Sequence, residues 1–499
     1  MVTVRRLLFE GRKSMGSQDK REQEQPSGGV VARRDFMKSC LIGMGGATLA
    51  QSTARNTAAR TENTPRLRPN ILYIHSHDTG RYIQPYGHAV STPNLQRLAE
   101  QGVLFRQSFS AAPTCSPSRA SLLTGECPHS NGMLGLTGRG FSLNDYGHHI
   151  LHQLRQVGYF TALIGVQHIA KDAKVIGYDK LGGFGRENPA EQVAPAAVAF
   201  LNSRRKEPFF LAVGFLETHR EFRKPGPADD WRYTLPPAPI PDMPQTRKDM
   251  AGFWASARVL DHGMGEVFRA LEANGLAENT LVIATTDHGI AFPRMKCNLY
   301  DHGIGVFLIM RGPGGFSGGK ACDALISQID IFPTICNLLE LDKPGWLQGR
   351  SIMPIIRGNA EEVNEEIFAE VNYHAAYQPD RAVRTKRWKY IRHFGSRHRP
   401  VLPNCDDGPS KSLWLEYDWR DQPVPGEELY DLIFDPQEGH NLAGDPSCGA
   451  ALEEMRSRLK RWMDATHDPL LRGPVAPPPG ATASDPDDVS PSDRVHVIG

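Results

Sequence analysis

The sequence lacks an excess of charge of either sign. Lys and Arg number 57 and Asp and Glu number 56 among 499 residues, so the formal net charge is +1. A protein that binds nucleic acid or an anionic membrane surface through charge presents a basic face, and this composition gives no sign of one. We therefore expect no nucleic-acid partner.

Cysteine is also scarce, with eight residues in the whole chain. That number is too small for a fold held together by disulfides at this length. With 40% apolar and 23% charged residues, the composition is that of an ordinary globular protein. It excludes collagen-like, coiled-coil and wholly disordered chains. The length allows two to three domains at roughly 150 residues each.

The N-terminal region has no long apolar run. Residues 39–50 are mildly apolar, and about a dozen residues at ~1.5 Å each cannot cross a hydrocarbon core of about 30 Å. We expect no permanent membrane span. The preceding Arg33-Arg34, followed by Phe36 and Lys38, resembles a twin-arginine export signal. A chance arginine pair before an ordinary helix is the alternative interpretation.

These features predict the order of segments at both ends of the chain. A polar extension at residues 1–30 precedes a twin-arginine signal peptide at 31–55 and a linker at 56–68. The twin-arginine export machinery would then be a partner, and the expected location is periplasmic or secreted in a bacterium. Residues 473–499 are rich in Pro, Ala, Ser and Asp, which predicts a disordered tail.

Between the two ends, buried-strand patterns alternate with helical patterns. The strand patterns lie at residues 70–75, 162–165, 209–215 and 280–285. Alternation of this kind predicts an α/β fold with a large, mostly parallel sheet sandwiched by helices. We place this domain at residues 69–358.

The pattern changes after residue 358. Residues 381–385 and 388–392 alternate polar and apolar side chains, as the strands of a half-exposed antiparallel sheet do. Residues 452–462 have the apolar spacing of an amphipathic helix. We therefore predict a smaller C-terminal α+β domain with an antiparallel sheet at residues 359–472.

The most specific motif of the chain starts at a cysteine. The pattern C-x-P-x-R-x-x-x-x-T-G is met by Cys115, Pro117, Arg119, Thr124 and Gly125. It resembles the signature of the sulfatase family at every fixed position. The alternative, a loop cysteine before a helix with a solvated arginine, does not explain the other fixed positions.

The resemblance to sulfatases extends over most of the chain, from about Arg68 to about Asp468. Further segments in the family's order are Asn131-Gly132-Met133, Asp287-His288-Gly289, Asn298-Leu299-Tyr300 and Glu428-Leu429-Tyr430-Asp431-Leu432. Within the family the sequence is most similar to the sulfamidases, the N-sulfoglucosamine sulfohydrolases. This implies that the predicted α/β domain has the alkaline-phosphatase-like fold and is the sulfatase catalytic domain.

The resemblance also implies the chemistry of Cys115. In the family a formylglycine-generating or sulfatase-maturating enzyme oxidises this cysteine to formylglycine, which hydrates to a geminal diol. One hydroxyl attacks sulfur, and the other then loses its proton so that sulfate departs. Arg119 would hold the diol.

A divalent cation is the second implied group, because it neutralises sulfate oxygens and lowers the pKa of the diol. Oxygen ligands suit Ca²⁺, with Mg²⁺ possible. Asp287 and His288 match the family's ligand pair after the strand pattern at 280–285, and position 115 adds the formylglycine oxygen. Asp78 is a ligand in either alignment of the first strand. His77 is one only in the ungapped alignment, and an imidazole is softer than calcium prefers.

The resemblance assigns further residues to sulfate binding and to protonation of the leaving atom. His168 matches a family histidine, although Val166 stands where the family has lysine, and whether Lys171 replaces it stays open. His219 matches the second active-site histidine, and Lys296 matches the basic residue that grips sulfate. Histidine exchanges a proton near neutral pH, which suits general acid catalysis.

Two other histidines, His129 and His374, are candidates for substrate binding at the rim of the pocket. For each of them a solvated or packed side chain is the alternative.

Together these features predict an exported hydrolase that removes sulfate ester or sulfamate groups from a sulfated sugar or glycosaminoglycan. Two other functions stay open. A phosphoester or phosphonate ester hydrolase of the same superfamily would share the fold and the metal. A non-catalytic glycan-binding relative would explain Val166 and His77.

Overall fold

A computed structural model of the protein describes residues 68–183 and 188–499. The predicted polar extension at 1–30, the export signal at 31–55 and nearly all of the linker at 56–68 lie outside the described residues. Within the described part, no helix combines the length and the apolar character needed to cross a membrane.

Eight strands form the larger sheet. They are β1 (Asn70–His75), β2 (Val103–Phe109), β3 (Phe160–Gly165), β4 (Lys180–Gly182), β5 (Phe209–Gly214), β6 (Thr280–Thr285), β7 (Leu308–Arg311) and β8 (Lys320–Ser327). Their spatial order is β4-β3-β5-β1-β6-β7-β2-β8. Pairing is parallel from β4 to β6 and between β2 and β8, while β7 runs antiparallel to both of its neighbours. The predicted mostly parallel sheet is confirmed.

Side chains of the central strand β1 alternate between two apolar cores. Ile71 and Tyr73 belong to one core, and Leu72 and Ile74 belong to the other. All four are 4% exposed or less. Because successive side chains of a strand point to opposite faces, both faces of this sheet are covered.

Helices cover the two faces. They are α1 (Pro93–Gln101), α2 (Cys115–Thr124), α3 (Pro128–Asn131), α4 (Ile150–Gln156), α5 (Ala190–Asn202), α6 (Pro244–Ala273), α7 (Asp301–Ile304), α8 (Ile331–Leu338) and α9 (Met353–Ile356). Apolar residues of α2, α4 and α8 pack in the core of Ile71, and those of α1, α5 and α6 pack in the core of Leu72. The predicted sandwich of helices around the sheet is therefore confirmed.

A second, antiparallel sheet lies in the C-terminal part of the chain, as predicted. Its strands are β9 (Glu366–Tyr373), β10 (Tyr377–Thr385), β11 (Trp388–His393) and β12 (Glu427–Asp431), in the order β12-β11-β10-β9. The helices α10 (Pro409–Glu416) and α11 (Gly449–Ala465) accompany it. The two sheets belong to one compact unit, Thr64–Gly499.

The expectation of a half-exposed second sheet is wrong for β10, because both faces of this strand are buried. Val383 packs against residues of α11, while Ala382 packs with Phe109 of the large sheet. The polar side chains of the strand are covered as well. Arg381 is fully buried, and Arg384 donates from Nε and Nη2 to the two carboxylate oxygens of Asp301 at 3.0 Å. The polar side chains that alternate along β10 are therefore buried in ion pairs and are not exposed to solvent.

The prediction of a disordered tail at residues 473–499 is also wrong. Strands β13 (Thr482–Ser484) and β14 (Val495–Val497) pair antiparallel in this segment. The backbone oxygen of Val475 accepts from the Tyr373 hydroxyl at 2.7 Å, and Val475 and Ala481 are buried. A few apolar residues and backbone hydrogen bonds attach a segment whose composition alone suggests disorder.

One buried ion pair connects β10 to the end of α11. The Arg381 guanidinium donates to both carboxylate oxygens of Asp468, at 2.5 and 3.0 Å, and both side chains are fully buried. We expect Arg381→Met to lower the free energy of unfolding by about 3–5 kcal/mol, because it leaves the buried Asp468 carboxylate without its arginine partner. Urea denaturation measures this.

The matched control is Arg387→Met, which removes an arginine whose side chain is 54% exposed and pairs with Asp431. It should change the unfolding midpoint little, because exposed ion pairs contribute little to stability. Equal effects of the two substitutions would contradict the importance of the buried pair.

Candidate active site

Four neighbouring parallel strands end at the same edge of the large sheet. In the order β3, β5, β1 and β6, they are followed by His168, His219, Asp78 and Asp287. Open α/β sheets bind ligands at the carboxyl ends of their strands. Residues separated by up to 209 positions along the chain therefore meet at this edge.

The centre of the site is a cluster of five possible metal ligands. One ligand atom from each of His77, Asp78, Cys115, Asp287 and His288 lies within 4.8 Å of all the others, and all five residues are buried. The Asp78 amide donates to Asp287 Oδ1 at 2.8 Å, which fixes the two carboxylates side by side. Two buried carboxylates this close need cations to compensate their charge.

The hydrogen bonds of His288 leave one ring nitrogen free for a metal. Its Nδ1 lies 2.9 Å from the carbonyl oxygen of Gly289, so Nδ1 carries the proton and donates it. In the neutral ring Nε2 then has a lone pair. It lies 3.3 Å from Asp78 Oδ1 and 3.4 Å from the Cys115 sulfur. Second-shell hydrogen bonds of this kind orient metal-binding histidines.

His77 lies inside the same cluster. Burial lowers the pKa of its ring to about 4, so the imidazole is neutral at physiological pH. Its Nδ1 lies 2.6 Å from Asp78 Oδ1, and its Nε2 lies 3.1 Å from Nδ1 of His168. To bind a metal through Nδ1, His77 would have to carry its proton on Nε2, where His168 Nδ1 can accept it. Two carboxylates and neutral imidazoles fit a divalent cation.

Cys115 occupies the first position of α2, with Thr114 as the N-cap residue. Its residue is 3% exposed, and burial raises the pKa of its thiol well above the ordinary value. An unmodified cysteine here is therefore a neutral thiol and a poor nucleophile. The start of a helix does, however, favour negative charge on an incoming group.

Gly125 ends this helix in the left-handed conformation, with φ of 72°. A Cβ at this position would lie 2.5 Å from a methyl carbon of Leu347. The fixed glycine of the motif is thus explained by the turn that ends α2.

Arg119 and Lys296 supply the cations that the two carboxylates need. Arg119 is 1% exposed and donates from Nη2 to Asp287 Oδ2 at 2.8 Å. Lys296 is 2% exposed and donates to Asp78 Oδ2 at 2.8 Å. Burial acts to lower the pKa of Lys296, but Asp406 and Asp78 together raise it well above the ordinary value, so the ammonium stays charged.

Asp406 is a site residue that the sequence analysis missed. Its Oδ2 accepts from Lys296 Nζ at 2.7 Å, although 110 positions separate the two residues. The carboxylate comes from the loop before α10, in the C-terminal part of the chain. The only sequence signal is the pair Asp406-Asp407, which has no motif around it.

The histidines at the strand ends differ in exposure. His168 is close to His77, whereas the side chain of His219 is 31% exposed at the mouth of the site. The His219 Nδ1 donates to the carbonyl oxygen of Arg220, which leaves Nε2 free at 4.0 Å from Asp78 Oδ2. That free nitrogen can take up and deliver a proton.

The position of Val166 holds no cation. Val166 is 4% exposed, and its amide continues the sheet by donating to the Gly214 oxygen at 2.9 Å. Lys171, whose role the sequence left open, is exposed. Among the described residues of this loop we find no replacement for the family's lysine inside the cluster.

His129 does not lie at a pocket rim as predicted. Its side chain is 1% exposed, and its Nδ1 contacts Glu370 Oε2 in a second buried cluster that also contains Asp468. It belongs to the ion network of β9 and β10 and is closed to a substrate. His374, in contrast, interacts electrostatically with Lys296 and Asp406, and burial lowers the pKa of its ring to about 3.

A large cavity lies next to the chain segments that carry Lys296 and Asp406. Its volume is about 1180 Å³, and its walls include Asn298, Gln378, Asn404 and Trp414. None of the cluster residues lines it, although Asn298 lies two positions after Lys296. We assign the chemistry to the cluster, because the nucleophile candidate and the charged groups converge there.

Comparisons with known proteins point to one family. The family model described as Sulfatase matches residues 69–341, and the model described as N-sulphoglucosamine sulphohydrolase, C-terminal, matches residues 288–411. The human N-sulphoglucosamine sulphohydrolase is 29% identical over 470 residues, covering 82% of this chain and 93% of the relative. An ulvan-active sulfatase of Formosa agariphila is 26% identical over 466 residues, covering 80% and 76%.

Solved structures share the fold. A protein in complex with its substrate D-glucosamine-2-N,6-O-disulfate superposes with a TM-score of 0.63 at 18% identity, covering 80% of this chain and 98% of that one. A structure described as a 2-O GAG sulfatase superposes with a TM-score of 0.62 at 21% identity, covering 81% and 94%.

Metal binding by the five-residue cluster can be tested without measuring turnover. Ca²⁺ should raise the melting temperature of the wild-type protein, because a ligand at a hundredfold excess over its Kd adds about 2.7 kcal/mol of stability. Asp78→Asn and Asp287→Asn should abolish the rise. Asp323→Asn, at an exposed carboxylate, is the control and should keep it. A calcium-induced rise that survives both cluster substitutions would place the cation elsewhere.

Proposed function

Because this chain belongs to the sulfatase family, whose model matches residues 69–341, we propose that it is an exported sulfatase acting on a sulfated sugar through formylglycine at position 115. Its bond cleavage is the hydrolysis of a sulfate ester or a sulfamate. The observation that carries the proposal is the position of Cys115, which meets the family signature and faces the buried cluster of carboxylates and histidines. The Arg33-Arg34 motif supports export.

Glucosamine N-sulfate is the substrate that the comparisons favour. A relative named N-sulphoglucosamine sulphohydrolase shares 29% identity across 82% of this chain, and a model of that name matches residues 288–411. A structural neighbour contains D-glucosamine-2-N,6-O-disulfate. O-sulfated sugars of glycosaminoglycans are the neighbouring candidates.

Two groups absent from the encoded chain complete the site in this proposal. The hydrated aldehyde at position 115 would supply the hydroxyl that attacks sulfur, which the neutral Cys115 thiol cannot do well. A Ca²⁺ or Mg²⁺ held by Asp78, Asp287 and His288, with His77 beside them, would act as a Lewis acid toward the sulfate oxygens.

Residues of the chain itself would bind the sulfate, position the reacting groups and deliver the proton. Lys296 Nζ has three N–H donors, of which Asp78 and Asp406 accept two, so one is left for a sulfate oxygen. Arg119 lies beside position 115 and holds Asp287 in place. The Nδ1–H of His219 donates to the carbonyl oxygen of Arg220. Nε2 can therefore carry a proton to the leaving oxygen or nitrogen. Water is consumed, and sulfate and the free sugar are released.

Mass spectrometry of the Cys115 peptide tests the modification. In protein exported by a host with a sulfatase-maturating enzyme, we expect the peptide to carry an aldehyde in place of the thiol. Peptides with Cys336 or Cys448 should keep their thiols and serve as internal controls. An intact thiol at Cys115 in active protein would remove the proposed mechanism.

Release of inorganic sulfate tests the activity. We expect turnover of glucosamine N-sulfate that exceeds turnover of an aryl phosphate and is lost with a chelator. Cys115→Ala should lose at least about a thousandfold in kcat, because the nucleophile is gone. Cys448→Ala, at a partly exposed cysteine far from the motif in sequence, should keep wild-type kcat.

Two other outcomes of this assay would each indicate a different function. Preference for the aryl phosphate would identify a phosphoester hydrolase of the same superfamily. Sugar binding without turnover would identify a glycan-binding relative. Val166 in place of lysine is the observation that favours this glycan-binding function.

A further inference from the structure

Asp406, from the C-terminal part of the chain, stands with His219 at the more exposed side of the cluster. The side chain of Asp406 is 15% exposed and that of His219 is 31% exposed, whereas Cys115 is 3% exposed. A substrate that reaches position 115 from solvent therefore passes Asp406 and His219. In the sulfate chemistry proposed for this site, Asp406 only pairs with Lys296, and His374 has no role.

Asp406 lies within a few ångströms of the reacting groups. Its carboxylate oxygen is 2.7 Å from Lys296 Nζ, and ligand atoms of Asp406, Asp78 and His219 lie within 4.8 Å of one another. The part of a substrate next to the sulfate must come close to this carboxylate. A second sulfate or a carboxylate of the substrate would be repelled there, while a hydrogen-bond donor would be attracted.

His374, whose ring interacts electrostatically with Lys296 and Asp406, adds an unpaired polar atom. The residue is 6% exposed, and its Nδ1 is buried without a hydrogen-bond partner among the described residues. An unpaired buried nitrogen is unfavourable, so a substrate group that pairs with this atom would be stabilised. A hydroxyl can accept from this nitrogen when the ring carries its proton there.

We propose that Asp406 and His374 form a subsite for the sugar hydroxyl next to the sulfated position, which is the 3-hydroxyl on a glucosamine N-sulfate linked through C1. The hydroxyl donates its hydrogen to an Asp406 oxygen and accepts a hydrogen bond from Nδ1 of His374, in the tautomer that carries its proton on that nitrogen. This inference rests on the proposed sulfatase function.

The test compares glucosamine N-sulfate, its 3-deoxy analogue and 4-nitrophenyl sulfate, using protein whose formylglycine content is measured. The wild-type protein should prefer the hydroxyl compound over the 3-deoxy compound by about tenfold or more in kcat/KM, the effect of one hydrogen bond to a charged group. Asp406→Asn and His374→Gln should each reduce this preference. Asp406→Asn should also lower the ratio of sugar to aryl sulfate turnover by about tenfold.

Asp407→Asn is the matched control on the same loop. Asp407 is 54% exposed on its side chain and pairs with Lys411, outside the cluster. The preference of the Asp407→Asn variant for the hydroxyl compound should equal that of the wild-type protein. Because the wild-type comparison itself measures the subsite, the test remains decisive even if Asp406→Asn fails to fold.

Other results would overturn the inference. An equal loss on all three compounds in Asp406→Asn would show that Asp406 only positions Lys296. An equal gain would show that it merely competes with sulfate for Lys296. No wild-type preference for the hydroxyl, or cleavage of 4-nitrophenyl sulfate without the sugar, would contradict the subsite and leave sulfatase activity intact. No sulfate release from any compound by formylglycine-containing protein would contradict the proposed function itself.

Discussion

The parallel strands β3, β5, β1 and β6 bring charged groups together at one buried edge of the sheet. Much of the surrounding structure compensates the negative charge at that edge. Asp78 and Asp287 are linked through the Asp78 amide at 2.8 Å, far from water. Neighbouring cations hold the pKa of both carboxyls well below the ordinary value against the opposing effect of burial. Lys296 is the first of these groups at Asp78, and His288 and then Arg119 are the first at Asp287. The same arrangement places ligand atoms of His288 and the two carboxylates within 4.8 Å of one another, which suits a divalent cation.

The C-terminal part contributes to this edge as well as covering it. It supplies Asp406 to Lys296, and it is fixed to the rest of the protein by charges buried on both faces of β10. Arg381 reaches Asp468 on one face, and Arg384 reaches Asp301 on the other. Buried pairs of this type add little net stability, but removing one partner is costly. They therefore define where the second sheet sits, and with it where Asp406 stands.

Local patterns predicted the elements well where burial and chain geometry agree. The strand Asn70–His75 was expected at those residues because both faces of a parallel strand are buried, and α1 begins at Pro93 because a first-turn proline loses no hydrogen bond. Pattern reading failed where polar residues are buried in pairs. The arginines of β10 and the residues after 473 look solvated in sequence, and their partners lie elsewhere in the chain.

The sequence by itself determined the class of protein and its most specific chemical group, because the residues from Cys115 to Gly125 are contiguous and their spacing is legible without a fold. It also predicted Asp78, Asp287, His219 and Lys296 as site residues through motifs that sit at strand ends. Only the tertiary structure decided that His129 is buried against Glu370, that Lys171 near the Val166 position is exposed, and that Asp406 joins the site. Such facts depend on side chains that meet across 110 to 241 positions, and local spacing carries no information about those distances.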